Sequence, residues 1–273
     1  MFVVATVFKN EAPLLAEWVQ HYLLEGAVHF FMVDHGSTDE PYEQVARHAA
    51  NITWFRDDRP FFPGVQTELL NEHVLPKVRG GKCWVLVCDV DEYLYAPLAH
   101  GTVANVLDAM PPHIQKVWTP WKVFGSNGRT ELRQESVVAA FTKRTNAISI
   151  PFRRVGQRFE SHVGVGKTVA RRVSRLGVHE SETFANNTLY GWGADHLQAH
   201  LMARLPSNPL LELNHYMYMS RDYYEQVKCV RGGGQTGLIN PKYTMRYFDE
   251  TEPSCNQVED CALLMKRLTL TPS

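Results

Sequence analysis

The chain has 273 residues, 44% hydrophobic and 21% charged, with a formal net charge of -1. That composition excludes a disordered or fibrous polymer and allows one sizeable core. A near-neutral balance supplies no global field for nucleic acid or for an anionic membrane, so neither is expected as a partner.

Five cysteines, Cys83, Cys88, Cys229, Cys255 and Cys261, stand at irregular spacing without a Cys-x-x-Cys. This argues against a disulfide framework and against a Cys-rich zinc site. Cys83 and Cys88 flank an apolar run and read as core packing in a reducing compartment.

The first residues, Met1 to Phe8, are apolar but short, with no basic leader and no small-residue cleavage site. They read as a first strand, Val3 to Phe8, rather than a signal peptide. No stretch approaches the roughly 18 apolar residues of a membrane span. The expectation is therefore a cytoplasmic protein without a transmembrane segment, or one peripheral at a membrane. After Lys9-Asn10-Glu11, Pro13 suits a helix's first turn. Leu14, Leu15, Trp18, Tyr22 and Leu23 recur at helical spacing up to Glu25, where Gly26 ends the helix. His29 to Val33 is a second strand, followed by the polar loop Asp34 to Asp39. A helix over Tyr42 to Ala50, a strand over Ile52 to Phe55 and a helix over Gln66 to Val78 follow, closed by Gly80-Gly81. Trp84 to Val87 is the fourth strand.

Strands alternating with helices imply right-handed βαβ units, hence an α/β fold with a mostly parallel central sheet flanked by helices. Three polar clusters follow strands in this pattern: Lys9 to Glu11, Asp34 to Asp39, and Asp89 to Glu92. Strand C-termini in such a sheet share one edge, and ligands bind there. The third cluster is the most informative. A buried strand that runs straight into Asp89, Asp91 and Glu92 needs positive partners, because burying a carboxylate alone costs several kcal/mol or more. Asp89 and Asp91 are two apart and point to one side in extended geometry, which suits a hard divalent cation. The plainer reading is a solvated turn, and the convergence of three clusters weighs against it.

The second half is less regular. Val103 to Met110 reads as a helix ending at Pro111-Pro112, and Lys116 to Phe124 as a strand turning at Gly125 to Gly128. A basic stretch carries Arg153, Arg154, Arg158, Lys167, Arg171, Arg172 and Arg175. Leu213 to Met219 reads as a strand, Arg221 to Val230 as a helix, and Gly232-Gly233-Gly234 as a mobile loop. Leu263, Leu264 and Leu268 mark a docking helix near the end. Neither a repeat nor a linker divides the chain.

An ordered series of short motifs now comes into view. Lys9-Asn10-Glu11 with Glu17-Trp18 comes first, then Asp34-His35-Gly36-Ser37-Thr38-Asp39, then Gln66 with Asn71. Asp89-Val90-Asp91-Glu92-Tyr93 and Trp121-Lys122-Val123-Phe124-Gly125-Ser126-Asn127-Gly128 follow. Lys167-Thr168-Val169-Ala170-Arg171 precedes Val178-His179, and the series ends with Asn214-His215-Tyr216, Ser220, Tyr224 and Lys228. In this order they resemble the GT-A glycosyltransferases of the family 92 type, related to family 2. Arg172 departs from the pattern, standing where the family often has proline, and residues 183–209 have no placed counterpart.

The resemblance implies one GT-A catalytic domain over residues 1–273. Its parts are a nucleotide-binding half, 1–100, an acceptor-side half, 101–240, and a docking segment, 241–273. It implies metal-dependent, inverting transfer of a sugar from a nucleotide-diphosphate donor, a UDP-sugar first, to a glycan hydroxyl. Asp91 and Asp89 would hold the metal, Glu92 would reach it through water, and His215 would be the third ligand with His179 as competitor. An imidazole ligand favours Mn²⁺ over Mg²⁺. Thr6, Lys9, Asn10, Glu11, Asp34, Asp39 and Gln66 would contact the donor, as would Asp89. Lys167 and Arg171 would lie near its diphosphate or near the acceptor, and Lys228 and Arg231 would close over the diphosphate. A general base is needed, and Glu180, Asp195 and Glu160 are candidates, with His179 beside them. Trp118, Trp121 and Trp192 offer faces for sugar stacking. Ser37 to Asp39 also suit a helix N-cap. Two other classes compete: a nucleotidyltransferase acting on sugar phosphates, which would want a glycine-rich loop after the first strand, and a non-catalytic carbohydrate-binding module.

Overall fold

The computed structural model describes residues 1–81, 83–132, 135–146, 166–185, 209–232 and 242–270, with the backbone of 188–190. Strand β1 (Phe2–Phe8) is buried along its whole length. Its sequence is apolar on both faces, as a central strand of a covered parallel sheet requires. Phe2, Val4 and Phe8 face one core while Val3, Ala5 and Val7 face the other. The helix Ala12–Leu24 lies over the first core and buries Leu14, Leu15, Trp18 and Tyr22. Gly26 ends it at φ 86°, a left-handed position where an added Cβ would stand 2.6 Å from the Cβ of Ala104.

β2 (Ala27–Asp34) and β3 (Ile52–Arg56) follow. Between them two 3₁₀ turns, Pro41–Gln44 and Ala46–Asn51, stand in place of the expected helix. No residue of the second turn is buried, so no apolar face exists to hold a helix down. The next helix runs through Val65–Leu69, a π-turn at Leu70–Val74, and Leu75–Val78. Pro76 explains the widening, because it donates no hydrogen bond and its ring crowds the preceding turn.

The remaining strands are β4 (Trp84–Val87), β5 (Glu92–Tyr95), β6 (Lys116–Val123), β7 (Lys143–Arg144), β8 (Gly166–Ala170), β9 (Val173–Arg175), β10 (Glu182–Thr183), β11 (Thr188–Tyr190), β12 (Glu212–His215) and β13 (Val258–Glu259). The main sheet has the order β3-β2-β1-β4-β8-β6-β12-β5, with β11 added beside β6. β1 to β4 are mutually parallel, as expected. β8 is antiparallel to both β4 and β6, and β12 is antiparallel to β5 but parallel to β6. The second half is therefore mixed rather than parallel. Helices no longer alternate with strands there, and without crossover helices parallel pairing loses its usual connection.

Of the leucines expected to dock the helix Ala262–Leu270, Leu268 is exposed, Leu264 is partly buried and Leu263 is buried. Lys266 is buried beside it, ion-paired with Glu25 and donating to the carbonyl of Ala96 at 2.7 Å. Glu25 also accepts from the backbone of Val103 at 3.0 Å. One pair thus fastens the chain end to the first helix. Lys266→Ala should lower unfolding free energy by about 3–5 kcal/mol, the usual cost of stranding one charge of a buried pair. Urea denaturation of both proteins measures it, and a loss well under 1 kcal/mol would contradict the docking role.

Candidate active site

The C-terminal ends of β2, β1 and β4 lie side by side, and a cleft of about 510 Å³ opens along that edge. Lys9, Asn10 and Glu11 reach it from the end of β1, His35 from β2, and Asp89 and Asp91 from β4. The three polar clusters converge as the strand pattern requires.

Two loops brace this edge. Asn10 adopts φ 53°, which its short polar side chain tolerates. Its Oδ1 accepts from the N–H of Thr38 at 2.8 Å, and its own N–H donates to Ser37 Oγ at 3.0 Å. Asp34 accepts from the N–H of Ser37 at 2.8 Å and pairs with Arg56 at 3.1 Å. Asp39 accepts from the N–H of Ala12 at 2.8 Å, so it caps the helix 12–24 from the neighbouring loop. Asp34 and Asp39 thus hold the loops together and do not line the cleft. Thr6 is buried within β1, and Gln66 does line the cleft.

The turn after β4 is closed on itself. The N–H of Glu92 donates to the Asp89 carbonyl at 3.1 Å, and Glu92 Oε2 accepts from the N–H of Asp89 at 2.9 Å. Trp18 and Tyr22 secure it from the helix, donating to the carbonyls of Asp89 and Glu92 at 3.1 and 3.0 Å. Lys167, on β8, has a fully buried side chain. Its Nζ lies 3.2 Å from Asp89 and 3.1 Å from Glu92, and it donates to the Val178 carbonyl at 2.8 Å. Burial works against this ammonium, but the carboxylates of Asp89 and Glu92 outweigh it and raise its pKa. Burial pushes the Glu92 carboxyl up to about 8, with Lys167 pulling it back. Glu92 is therefore an enclosed acid, with its Oε1 buried and without a hydrogen-bond partner among the described residues. Lys167 serves the acidic turn from behind and does not line the cleft.

Asp91 is held from the other side. Lys228 Nζ lies 2.5 Å from its Oδ2 and donates to the Met217 carbonyl at 2.7 Å. Burial alone would raise the Asp91 pKa, but the Lys228 ammonium holds it well below the carboxylate range. His215 ends β12, which lies between β5 and β6, with His215 opposite Glu92. Its Nε2 is 3.6 Å from Asp91 Oδ1, too long for a hydrogen bond. Burial lowers the His215 pKa, so the ring is neutral at pH 7. Asp91 Oδ1 and His215 Nδ1 are buried atoms with no hydrogen-bond partner among the described residues.

The helix 221–231 crosses the cleft, started by a Ser220 cap on the N–H of Tyr223. Lys228 and Arg231 are three apart and share a face. Arg231 lies 2.5 Å from Glu11 and donates to the Lys9 carbonyl at 3.1 Å. Burial, against the pull of Arg231, pushes the Glu11 carboxyl up to about 7. Lys242 and Tyr243 also line the cleft, from the segment read as docking only. No motif marks them.

Other expected residues fall elsewhere. Arg171 sits at the opposite end of β8, donating to the carbonyls of Ile114 and Pro111 at 2.8 and 2.6 Å and stacking on Trp84. β8 runs antiparallel to β4, so its last residues face away from the cleft that Lys167 approaches. Arg172 turns the chain at φ 55°, which proline cannot adopt. Asn71 clasps Leu176 in both directions, at 2.7 and 2.9 Å. Glu180 is exposed and paired with Lys116 at 2.5 Å. Trp121 lines the cleft with its ring 4.3 Å from His215 and 5.5 Å from His179. Glu160, Asp195, Trp192, Arg153, Arg154, Arg158, Gly233 and Gly234 lie outside the described residues.

The site can now be set beside known proteins. No protein-family model matches the chain. In sequence it is similar to glycosyltransferases of family 92. A family 92 protein of Oryza sativa subsp. japonica is 27% identical over 147 residues, covering 53% of this chain and 25% of the relative. One of Arabidopsis thaliana is 23% identical over 152 residues, covering 52% and 26%. One of Ricinus communis is 25% identical over 154 residues, covering 52% and 26%. The match thus spans about a quarter of the length of these curated relatives. Among solved structures, TarS 1-349 of S. aureus overlaps with a TM-score of 0.37 at 16% identity, covering 62% of this chain and 46% of that one. HddC from Yersinia pseudotuberculosis gives 0.33 at 8%, covering 49% and 64%. Overlaps this slight carry no argument, and the α/β architecture stands on the strand order above. Among the described residues no helix is long and apolar enough to cross a membrane.

Lys167→Met should cost about 1–3 kcal/mol at pH 7, because the enclosed Glu92 carboxyl, raised to about 8 by burial, stays protonated and loses its polar partner. The double change Lys167→Met with Glu92→Gln should recover part of it. Denaturant unfolding of the three proteins reads the coupling, and additive losses would contradict the pairing.

Proposed function

We propose that the chain carries a GT-A glycosyltransferase domain that moves a sugar from a nucleoside-diphosphate donor, a UDP-sugar first, to a glycan hydroxyl with inversion. The observation that carries this reading is a single cleft where Asp89 and Asp91 meet Lys9, Lys228 and Arg231. Similarity to family 92 glycosyltransferases over half the chain supports it.

The chemistry follows from charge. The leaving diphosphate gains negative charge as the bond to the sugar breaks, and fixed cations in a partly dry cleft stabilise that charge where it grows. Lys228 and Arg231 are balanced by Asp91 and Glu11 until phosphate offers them another anion. Their helix also lines the cleft, so it would flank a bound donor.

A hard divalent ion fits the donor set. Asp91 Oδ1 and His215 Nδ1 are buried and unpartnered, and two carboxylates with a neutral imidazole suit Mn²⁺ or Mg²⁺. Among the described residues no three His, Cys, Asp or Glu side chains are grouped to hold an ion by themselves. That agrees with an ion held by one or two carboxylates and completed by substrate phosphates. Asp91, with either Asp89 or His215 beside it, would hold it, and the ion would add positive charge at the diphosphate.

A nucleotidyltransferase reading lacks support, since Lys9-Asn10-Glu11 after β1 is not glycine-rich. Release of UDP from a panel of UDP-sugars, with Mn²⁺ and with EDTA, tests the proposal. One donor should leak UDP, EDTA should abolish the leak, and Asp91→Ala should slow it about 100-fold or more. Equal release by Asp91→Ala, or none from any donor, would overturn it.

A further inference from the structure

A second hollow of about 300 Å³ adjoins the cleft and shares Val178 and His179 with it. Thr67, Arg175, Glu180 and Glu182 form its other walls. Resting on the glycosyltransferase reading above, we propose that this hollow holds the acceptor sugar and that His179, at the junction, takes the acceptor's proton.

The sheet sets the sides. β1 and β2 end on one flank of Asp89 and Asp91, while β8 and β6 lie on the other. A donor whose nucleoside lies toward β1 and β2 and whose diphosphate lies at Asp91 presents its sugar toward β8 and β6. His179 stands on that flank, between β9 and β10, with its ring edge-on to Trp121 at 5.5 Å. Its backbone is fixed on both sides. The His179 carbonyl accepts from the N–H of Thr168 at 3.1 Å, and the Val178 carbonyl accepts from Lys167 at 2.8 Å. Partial burial and then the nearby Lys167 ammonium push the His179 ring down to about 4, so it is neutral at pH 7, while the residue remains accessible to solvent. Neutral imidazole with an open face has the lone pair that a base requires.

The hollow's walls suit a hydroxylated ligand. Arg175 and Glu182 form an exposed ion pair at 3.5 Å and the exposed Glu180 pairs with Lys116, and a hydroxylated ligand can exchange hydrogen bonds with such solvent-accessible groups. Glu180 borders only the hollow and is tied to Lys116, so it can orient an acceptor but does not reach the donor. In the reaction the acceptor oxygen forms a bond to the anomeric carbon. The bond from that carbon to the diphosphate oxygen breaks, and its electron pair leaves with the diphosphate. The hydroxyl proton passes to a ring nitrogen of His179.

The test uses UDP for binding and p-nitrophenyl glycosides as acceptor probes, with the donor that leaks UDP. His179→Ala should lower kcat for transfer by about 10²–10⁴-fold and leave UDP affinity within about twofold. Added imidazole should restore part of that loss, which a merely structural role would not allow. Glu182→Ala should raise the acceptor KM several-fold and leave the donor KM unchanged. Transfer by His179→Ala near the wild-type rate, or parallel loss of UDP binding, would overturn this assignment alone. A wild-type chain that neither binds UDP nor releases it from any donor would overturn the glycosyltransferase reading and this assignment with it.

Discussion

The site depends on neutralising carboxylates that the fold forces into its interior. β4 is a buried strand, and the turn after it buries Asp91 and Glu92 and leaves Asp89 partly exposed at the cleft. Left alone, such charges would cost more than the surrounding packing returns. Two lysines from distant parts of the chain resolve this. Lys167 arrives from β8 and meets Asp89 and Glu92, and Lys228 arrives from the helix 221–231 and meets Asp91. The sheet order brings β8 beside β4, so the antiparallel insertion is what delivers the first lysine.

The two lysines are not equivalent. Lys167 is enclosed, makes three contacts and belongs to the frame. Lys228 lines the cleft and shares a helical face with Arg231, whose partner Glu11 is also a cleft residue. One cation is thus enclosed behind the acids, while Lys228 and Arg231 pair with Asp91 and Glu11 at the cleft itself. Under the proposed reading, these two exchange their carboxylate partners for the donor's phosphates.

The first half of the fold is legible in the sequence because its helices alternate with apolar strands and each strand ends in polar residues. From that pattern the convergence of Lys9, Glu11, Asp89 and Asp91 on one edge follows. The second half is less legible. Strand direction for β8 and β12 is set by pairing across long sequence separations, and local periodicity does not encode it. That is why Lys167, on β8, and Arg171, just after it, read as a phosphate-binding pair but lie at opposite ends of that strand. Asp34 and Asp39 carry residue types that serve loops and ligands alike, and only their partners, Ser37, Arg56 and Ala12, show the bracing role. Lys242 and Tyr243 reach the cleft through tertiary packing alone, and no spacing announces them.

The central claim is that the cations of the helix 221–231 recognise phosphate at the acidic edge. Calorimetric titration with UDP and with uridine, on the wild-type chain and on Lys228→Ala with Arg231→Ala, tests it most directly. The account predicts saturable binding of UDP, far weaker binding of uridine, and loss of that difference in the folded double variant. UDP bound no better than uridine by the wild-type chain, or an unchanged preference in the double variant, would contradict it.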